Sequence, residues 1–408
     1  MNQAETPIPT RARPFEKAQK PTPAWLKAIL GRELSPSRSE YQAVTQALWD
    51  GDKPMDDLVA WMFEADTRQR KHQVQQAIRQ GNLHQAPAAI EGFFATLQQP
   101  PSWIDFDLVE EGVRFTHGLG IAAGYVLRDL ALMGGYLLSG FNQSLVMTGA
   151  LNKGTAQRVA ETGKWWIDCT EPGGLQPVGP GYRTTLEVRL VHALVRRGLD
   201  RRPDWDHGRW GLPLSQIDMV ATYLGFSVVM LVGLRKLGMP VLPRESKAVI
   251  HLWSYACWLM GVEEKWLVQS ESDGFVLLNH TYMTQSKPDA TSRELALALA
   301  REPLARRFPN LQSLRRRLSY HQHLGMSHYF LGQSKMQELG FEELGLPWYP
   351  LVSNVPRALG YSARHFVPGL RQHQQRNGRK AQLAMLASMF GEQDHTIINP
   401  DSDHPAHL

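Results

Sequence analysis

The run Leu186-Glu-Val-Arg189-Leu-Val-His192-Ala-Leu-Val-Arg196 constrains the fold of this chain more than any other stretch. Its apolar residues recur at helical spacing, and so apolar a helix has to be covered by other elements. Arg189, His192 and Arg196 stand at i, i+3 and i+7, so they share one helical face. Guanidinium groups on such a helix are costly to bury unless anions meet them. Any fold that buries this helix must therefore bring anions to this face.

The rest of the chain is patterned in the same way. Helical periodicity runs over Ser39–Trp49, over Asp56–Phe63 with two acids in its first turn, and within Gly81–Gln99 up to Pro100-Pro101. It continues around Val109–Thr116 and over about 119–139, 142–166 and 184–198, then 214–237, 244–262 and 264–286. Gly/Pro-rich segments at 171–182 and 200–211 punctuate it as loops. Convincing period-2 alternation is absent, as is any repeat of about 20 to 50 residues. The expectation is an all-α protein with one large helical domain over about 25–370. Residues 1–24, with five prolines, read as an arm that is disordered or lies along the surface. Residues 371–408 read as a C-terminal tail with one short amphipathic helix, frayed after Gly391.

Composition excludes several classes of function. A net charge of +5 is mildly basic, and no zinc-finger spacing, RNP-like run or basic region with heptads is present, so no nucleic-acid partner is expected. The clustered Arg306, Arg307, Arg315, Arg316 and Arg317 read as a solvated helix face, with contact to anionic lipid as the alternative. Two cysteines, Cys169 and Cys257, allow no disulfide framework and fit reduced, buried thiols. The N-terminus lacks the apolar region of a secretory signal. The longest apolar stretch, Met219–Leu234, is about 16 residues against the roughly 20 that span a bilayer. The chain is expected to be cytoplasmic with no transmembrane segment, peripheral membrane contact remaining open. No Ser elbow and no phosphate-cradling loop occurs. His321 and His323 stand at i and i+2 and point apart on a helix, which argues against a second metal site.

A haem would answer the needs of the Arg189–His192–Arg196 face. Its iron takes a neutral imidazole, its two propionates suit arginine forks, and its face packs on Leu and Val. A half-exposed helix whose histidine bonds a neighbour is the alternative that spacing leaves open. Upstream, Arg158, Glu161 and Thr162 form a second polar face at i, i+3 and i+4. A helix–loop–helix could set the two faces on opposite sides of a flat ligand. A local surface interaction of Arg158 with Glu161 or Thr162 is the plain alternative.

The segments RVAETGKWW (158–166), PGGLQPVGPGYRTTLEVRLVHALVR (172–196) and GLPLSQIDMVATYLGF (211–226) resemble the latex-clearing-protein, or rubber oxygenase, family, which also includes the membrane-associated oxygenase of the mycophenolic acid pathway. GDKPMDDLVAWM (51–62) and PPSWIDFDLVEEG (100–112) are weaker echoes, and the resemblance covers roughly 45–270. It implies a globin-like helical core with non-covalently bound haem b. By the same resemblance His192 is the proximal iron ligand, Arg189 and Arg196 flank it as cofactor-binding residues, and Arg158 and Thr162 lie on the distal side. Rubber-cleaving members carry a lysine where this chain has Glu161, and a glutamate where it has Asn142. The haem-holding half therefore matches and the acid–base half does not.

The function this implies is that of a haem-dependent oxygenase. It would use dioxygen on an apolar unsaturated substrate, isoprenoid or lipid-like, by oxidative cleavage of a C=C bond. Arg158, Glu161 and Thr162 are the candidate catalytic residues. A haem-binding sensor or carrier without turnover is the first alternative, and a helical lipid-binding protein without haem the second. Fold and cofactor alone do not decide between them.

Overall fold

The structure is a computed structural model that describes residues 7–81, 83–149 and 154–390. Among these residues every regular element is a helix and no strand occurs, as the periodicity predicts. The helices that position the site are α1 (Lys53–Met62), α2 (Phe106–Gly118), α3 (Ile121–Gly135) and α4 (Thr155–Cys169). They are followed by α5 (Pro180–Asp200), α6 (Gln216–Lys236), α7 (Pro243–Leu259), α8 (Gln312–Glu338), α9 (Trp348–Ser362) and α10 (Leu370–Phe390).

Local sequence explains several of the boundaries. Asp105 caps α2 by accepting from the backbone N–H of Asp107 and Leu108. Pro180 and Pro243 stand in the first turns of α5 and α7, where a missing N–H costs nothing. The single helix expected over 142–166 is two, Ser139–Met147 and α4. Between them Gly149 and Gly154 take positive φ values of 73° and 85°, which helical backbone does not tolerate.

α7 lies at the centre, with Trp253 and Tyr255 fully buried. It packs closely on α2, where a Cβ at Gly112 would come within 2.6 Å of the Ala248 carbonyl oxygen. α4 pairs with α5, and α10 packs on both α2 and α4. In place of a short helix on a loose tail, the 371–390 stretch carries most of a 21-residue helix whose Leu386 and Phe390 belong to the main core. Gln382 on it donates to the Thr116 carbonyl at 2.9 Å. The residues after 390, expected to be frayed, lie outside the described residues, as do the first six of the N-terminal arm.

The described part of the arm lies along the surface, anchored by Arg11. That side chain is buried and donates to both carboxylate oxygens of Asp218 at 2.9 Å. α6 has the length and mean hydropathy (1.9) of a membrane-crossing helix, but 67% of its apolar window is buried inside the protein. It is a core helix by that measure.

Candidate functional site

α5 places Arg189, His192 and Arg196 on the face toward α1, and α1 supplies the anions the sequence called for. The Nε and Nη2 of Arg189 donate to the two carboxylate oxygens of Asp52 at 2.6 and 2.7 Å, and Nη1 donates to the Leu259 carbonyl at 3.1 Å. Arg196 donates to Asp56 at 2.6 Å and to the Leu214 carbonyl at 3.0 Å, while its Nε is buried without a partner. Two glycines make room for these pairs. A Cβ at Gly261, whose φ is 95°, would come within 2.2 Å of an Asp52 oxygen, and one at Gly51 within 2.5 Å of an Asp56 oxygen.

This changes the part expected of Arg189. Carboxylates do meet the two arginines, but they are the protein's own. Arg189 is committed in full, so it braces α5 against α1. Asp56 reads from sequence as a helix-dipole residue, and its larger role is as the partner of Arg196.

His192 lies between the two pairs and is treated differently. Its Nδ1 is buried with no hydrogen-bond partner, while the residue as a whole is half-buried. Burial, with the nearby Arg196 and Arg158, lowers its pKa to about 4 against the opposing pull of Asp52. His192 is thus neutral at pH 7, and a neutral imidazole is the form that takes a metal.

Arg158 on α4 faces the same region, close enough for its charge to act on His192. It is half-buried and makes no hydrogen bond with the described residues; its electrostatic neighbours are Tyr136 and Glu161. Burial is the largest influence on Arg158 and lowers its pKa. Tyr136 is buried, and its pKa is raised to about 12 by burial, with Arg158 and Arg128 opposing. Thr162, one turn after Arg158, is exposed. Asn142 is fully buried and donates to the Tyr136 carbonyl at 2.9 Å and to Ser292 at 3.2 Å. A neutral amide held in this way has no carboxylate to accept a proton.

Two features beside this region were not predicted. Val126–Leu132 in α3 and Gly225–Val229 in α6 are wound as π-helix and pack against each other. Such wide turns recur at functional sites. Leu130 and Phe226 from these turns, with Val188 from α5, are only partly buried although they pack on the main core. Phe226 also joins Trp165 and Trp253 in an aromatic group with ring centroids 5.0–5.5 Å apart. Tyr136 was missed because a lone tyrosine in an apolar helix carries no signal by spacing.

Of the histidines at 321, 323 and 328, two are tied to protein atoms. His323 meets Asp129 at 2.6 Å within a buried cluster that also holds Arg128, Glu302 and Arg306. His328 lies 3.1 Å from the Gly345 carbonyl, and His321 is exposed. Arg306 is therefore no part of a solvated face, whereas Arg315 and Arg317 are exposed. Among the described residues no group of three or more His, Cys, Asp or Glu could hold an ion. Iron beside His192 would have to arrive with most of its ligands, which a porphyrin supplies. A neutral imidazole with an unpaired nitrogen, and an arginine that makes no hydrogen bond with the described residues, fit that group.

The family model for "ER-bound oxygenase mpaB/B'/Rubber oxygenase, catalytic domain" matches residues 120–365. That range takes in Arg158, Glu161, Thr162, Arg189, His192 and Arg196, and leaves out Asp52 and Asp56. A rubber oxygenase from Streptomyces sp. (strain K30) is 25% identical over 186 residues, which make up 44% of this chain and 45% of that protein. The matched part thus spans less than half of that relative. Among solved structures, latex clearing protein LCP in the closed state superimposes with a TM-score of 0.65. That alignment covers 83% of this chain and 91% of the other at 18% identity, and it shows a shared helical fold.

Proposed function

Because the chain belongs to the family of mpaB/B' and rubber oxygenase catalytic domains, we propose that it is a haem b-dependent oxygenase acting on an apolar, unsaturated substrate of isoprenoid or lipid type. The observation that carries this is His192, a deeply placed, neutral imidazole with an unpaired nitrogen, near an arginine that makes no hydrogen bond with the described residues. A buried polar atom left unpaired costs about 1–3 kcal/mol, and a ligand that engages the ring offsets that cost.

In this assignment His192 is the iron ligand. Bound haem supplies iron for dioxygen chemistry, with the polarity and access of its open side deciding the outcome. Arg158 offers donors to a propionate or to the reacting oxygen. The unpaired Nε of Arg196 offers one more. Arg189 is a positioning residue, holding the His192 helix through Asp52. With Asn142 lacking a carboxylate, Glu161 is the acidic group of α4 placed near Arg158 and the candidate proton acceptor. Val188, one turn before His192 on α5 and only partly buried, is the candidate to meet an apolar chain. Oxidative cleavage of a C=C bond to carbonyl products is the reaction proposed.

Absorption spectroscopy after haem supplementation tests the cofactor. The wild type should give a Soret band that His192→Ala loses or shifts. A wild type without the band refutes haem binding, and a variant with an unchanged iron spectrum refutes the ligand assignment. A second function, haem-based sensing or carriage without turnover, is favoured by one observation, the bonded Asn142 amide in place of an acid. Carbonyl products from an isoprenoid alkene under dioxygen would decide for the oxygenase.

A further inference from the structure

α9 is amphipathic with its apolar side turned outward. Trp348, Leu351, Val352, Val355 and Leu359 are all exposed, Leu359 by 68%, and their spacing places them on one stripe of the helix. The polar residues Ser353, Asn354 and Arg357 are half-buried instead. An ordinary surface helix has the opposite arrangement. The stripe continues beyond both ends of the helix, with Leu346 exposed before it and Phe366 (84%) and Val367 after it. Contiguous exposed apolar surface of this kind marks a binding face.

Charge decides what binds there. Between Leu344 and Phe390 the sequence contains no Asp or Glu. Its basic side chains are Arg357, Arg364, Arg371, Arg376, Arg379 and Lys380. Arg364 and Arg379 are drawn inward to Glu245 and Glu171, whereas Arg376 and Lys380 on α10 are exposed. α10 reaches the end of the stripe, where Gln374 donates to the Gly360 carbonyl at 2.6 Å. A second copy docked face to face would set two basic rims together, which is unfavourable. An anionic bilayer instead receives the aliphatic stripe at the acyl boundary and the basic rim at its headgroups.

We propose that α9, with Leu346, Phe366 and Val367, is an interfacial helix that docks this protein on anionic lipid bilayers. This goes beyond the oxygenase assignment and does not depend on the cofactor. It places the protein where apolar, lipid-dissolved molecules are concentrated.

Flotation with vesicles tests it, using the full chain and phosphatidylcholine with or without phosphatidylserine. The wild type should float with serine-containing vesicles, and salt should weaken the binding. The double variant L351E/V355E should bind about tenfold or more weakly with unchanged helical circular dichroism. R376E/K380E should lose the preference for phosphatidylserine while keeping the same fold. A wild type that stays in solution with both kinds of vesicle overturns the proposal. So does equal binding by wild type and L351E/V355E. A concentration-dependent dimer that L351E/V355E makes monomeric, without vesicle binding, assigns the face to a second copy and also overturns it.

Discussion

Two histidines sit beside buried arginine–carboxylate pairs, His192 on α5 and His323 on α8, and the fold treats them in opposite ways. His323 brings its Nδ1 to within 2.6 Å of Asp129, which also takes a hydrogen bond from Arg128. Burial raises the Asp129 carboxyl to about 7 and lowers His323 well below its ordinary value. One proton in that contact satisfies both atoms, whichever of them holds it. Glu302 bonds Arg128 and Arg306, and Arg306 reaches Ser319, so the cluster is closed on itself. Around His192 the arginines are paired just as well, but the imidazole between them is not. The first arrangement holds helices together. The second holds helices together and leaves the Nδ1 of its imidazole without a hydrogen bond, the difference on which the proposed haem site rests.

Breaking either set of ion pairs should give the largest effects. Asp129→Ala leaves Arg128 and His323 without their shared carboxylate, and Asp52→Ala leaves Arg189 without its anion. The loss of Asp52 should cost about 3–5 kcal/mol, the usual penalty for an uncompensated buried charge, and the loss of Asp129 less, because Arg128 keeps its bond to Glu302. Asp56→Ala should cost less, about 1–3 kcal/mol, because the Asp56 side chain is 31% exposed and water can reach the site. Urea denaturation of cofactor-free protein measures all three. If Asp52→Ala proved as mild as a surface change, Arg189 would not be bracing α5.

How far the sequence reached follows from the same pairs. Helical period displayed the shared face of Arg189, His192 and Arg196 and the need for anions there. It did not display Asp52 and Asp56, which lie 137 and 140 residues away from their arginines. Spacing reports neighbours on one helix and nothing of the neighbouring helix. Asp129 and His323, 194 residues apart, were out of reach for the same reason. Period also separates the two faces of a helix without saying which turns inward, so the outward apolar stripe of α9 reads like any amphipathic segment. The helix Thr67–Gln80 was passed over because few apolar residues mark its buried side, Val74, Ala77 and Ile78. Two glycines, Gly51 and Gly261, carry their meaning only through the carboxylates they admit.

Acid should test the enclosure of His192 next. His192 has a folded pKa of about 4, against about 6.5 in an unfolded chain. Between those values the unfolded chain takes up a proton that the folded one refuses, so stability falls as pH falls. The loss should approach about 3 kcal/mol by pH 4 if the whole shift is expressed. In His192→Leu that contribution disappears, and its stability should decline less from pH 7 to pH 5 than that of the wild type. Urea midpoints at the two pH values provide the measurement. Parallel losses in both proteins would mean that His192 titrates normally and is not enclosed.

At neutral pH the same substitution provides the smallest and sharpest contrast. Replacing His323 by Leu strips Asp129 of a partner in a place water does not reach, and should cost about 1–3 kcal/mol. Replacing His192 by Leu removes a nitrogen that bonds nothing, and Leu has similar bulk, so the cofactor-free protein should lose no stability. Haem retention should show the reverse order, with His323→Leu holding haem like the wild type and His192→Leu losing it. The two orders have to appear together. A His192→Leu protein as destabilised as His323→Leu would make His192 a structural residue, and the difference between the two clusters would have no bearing on function.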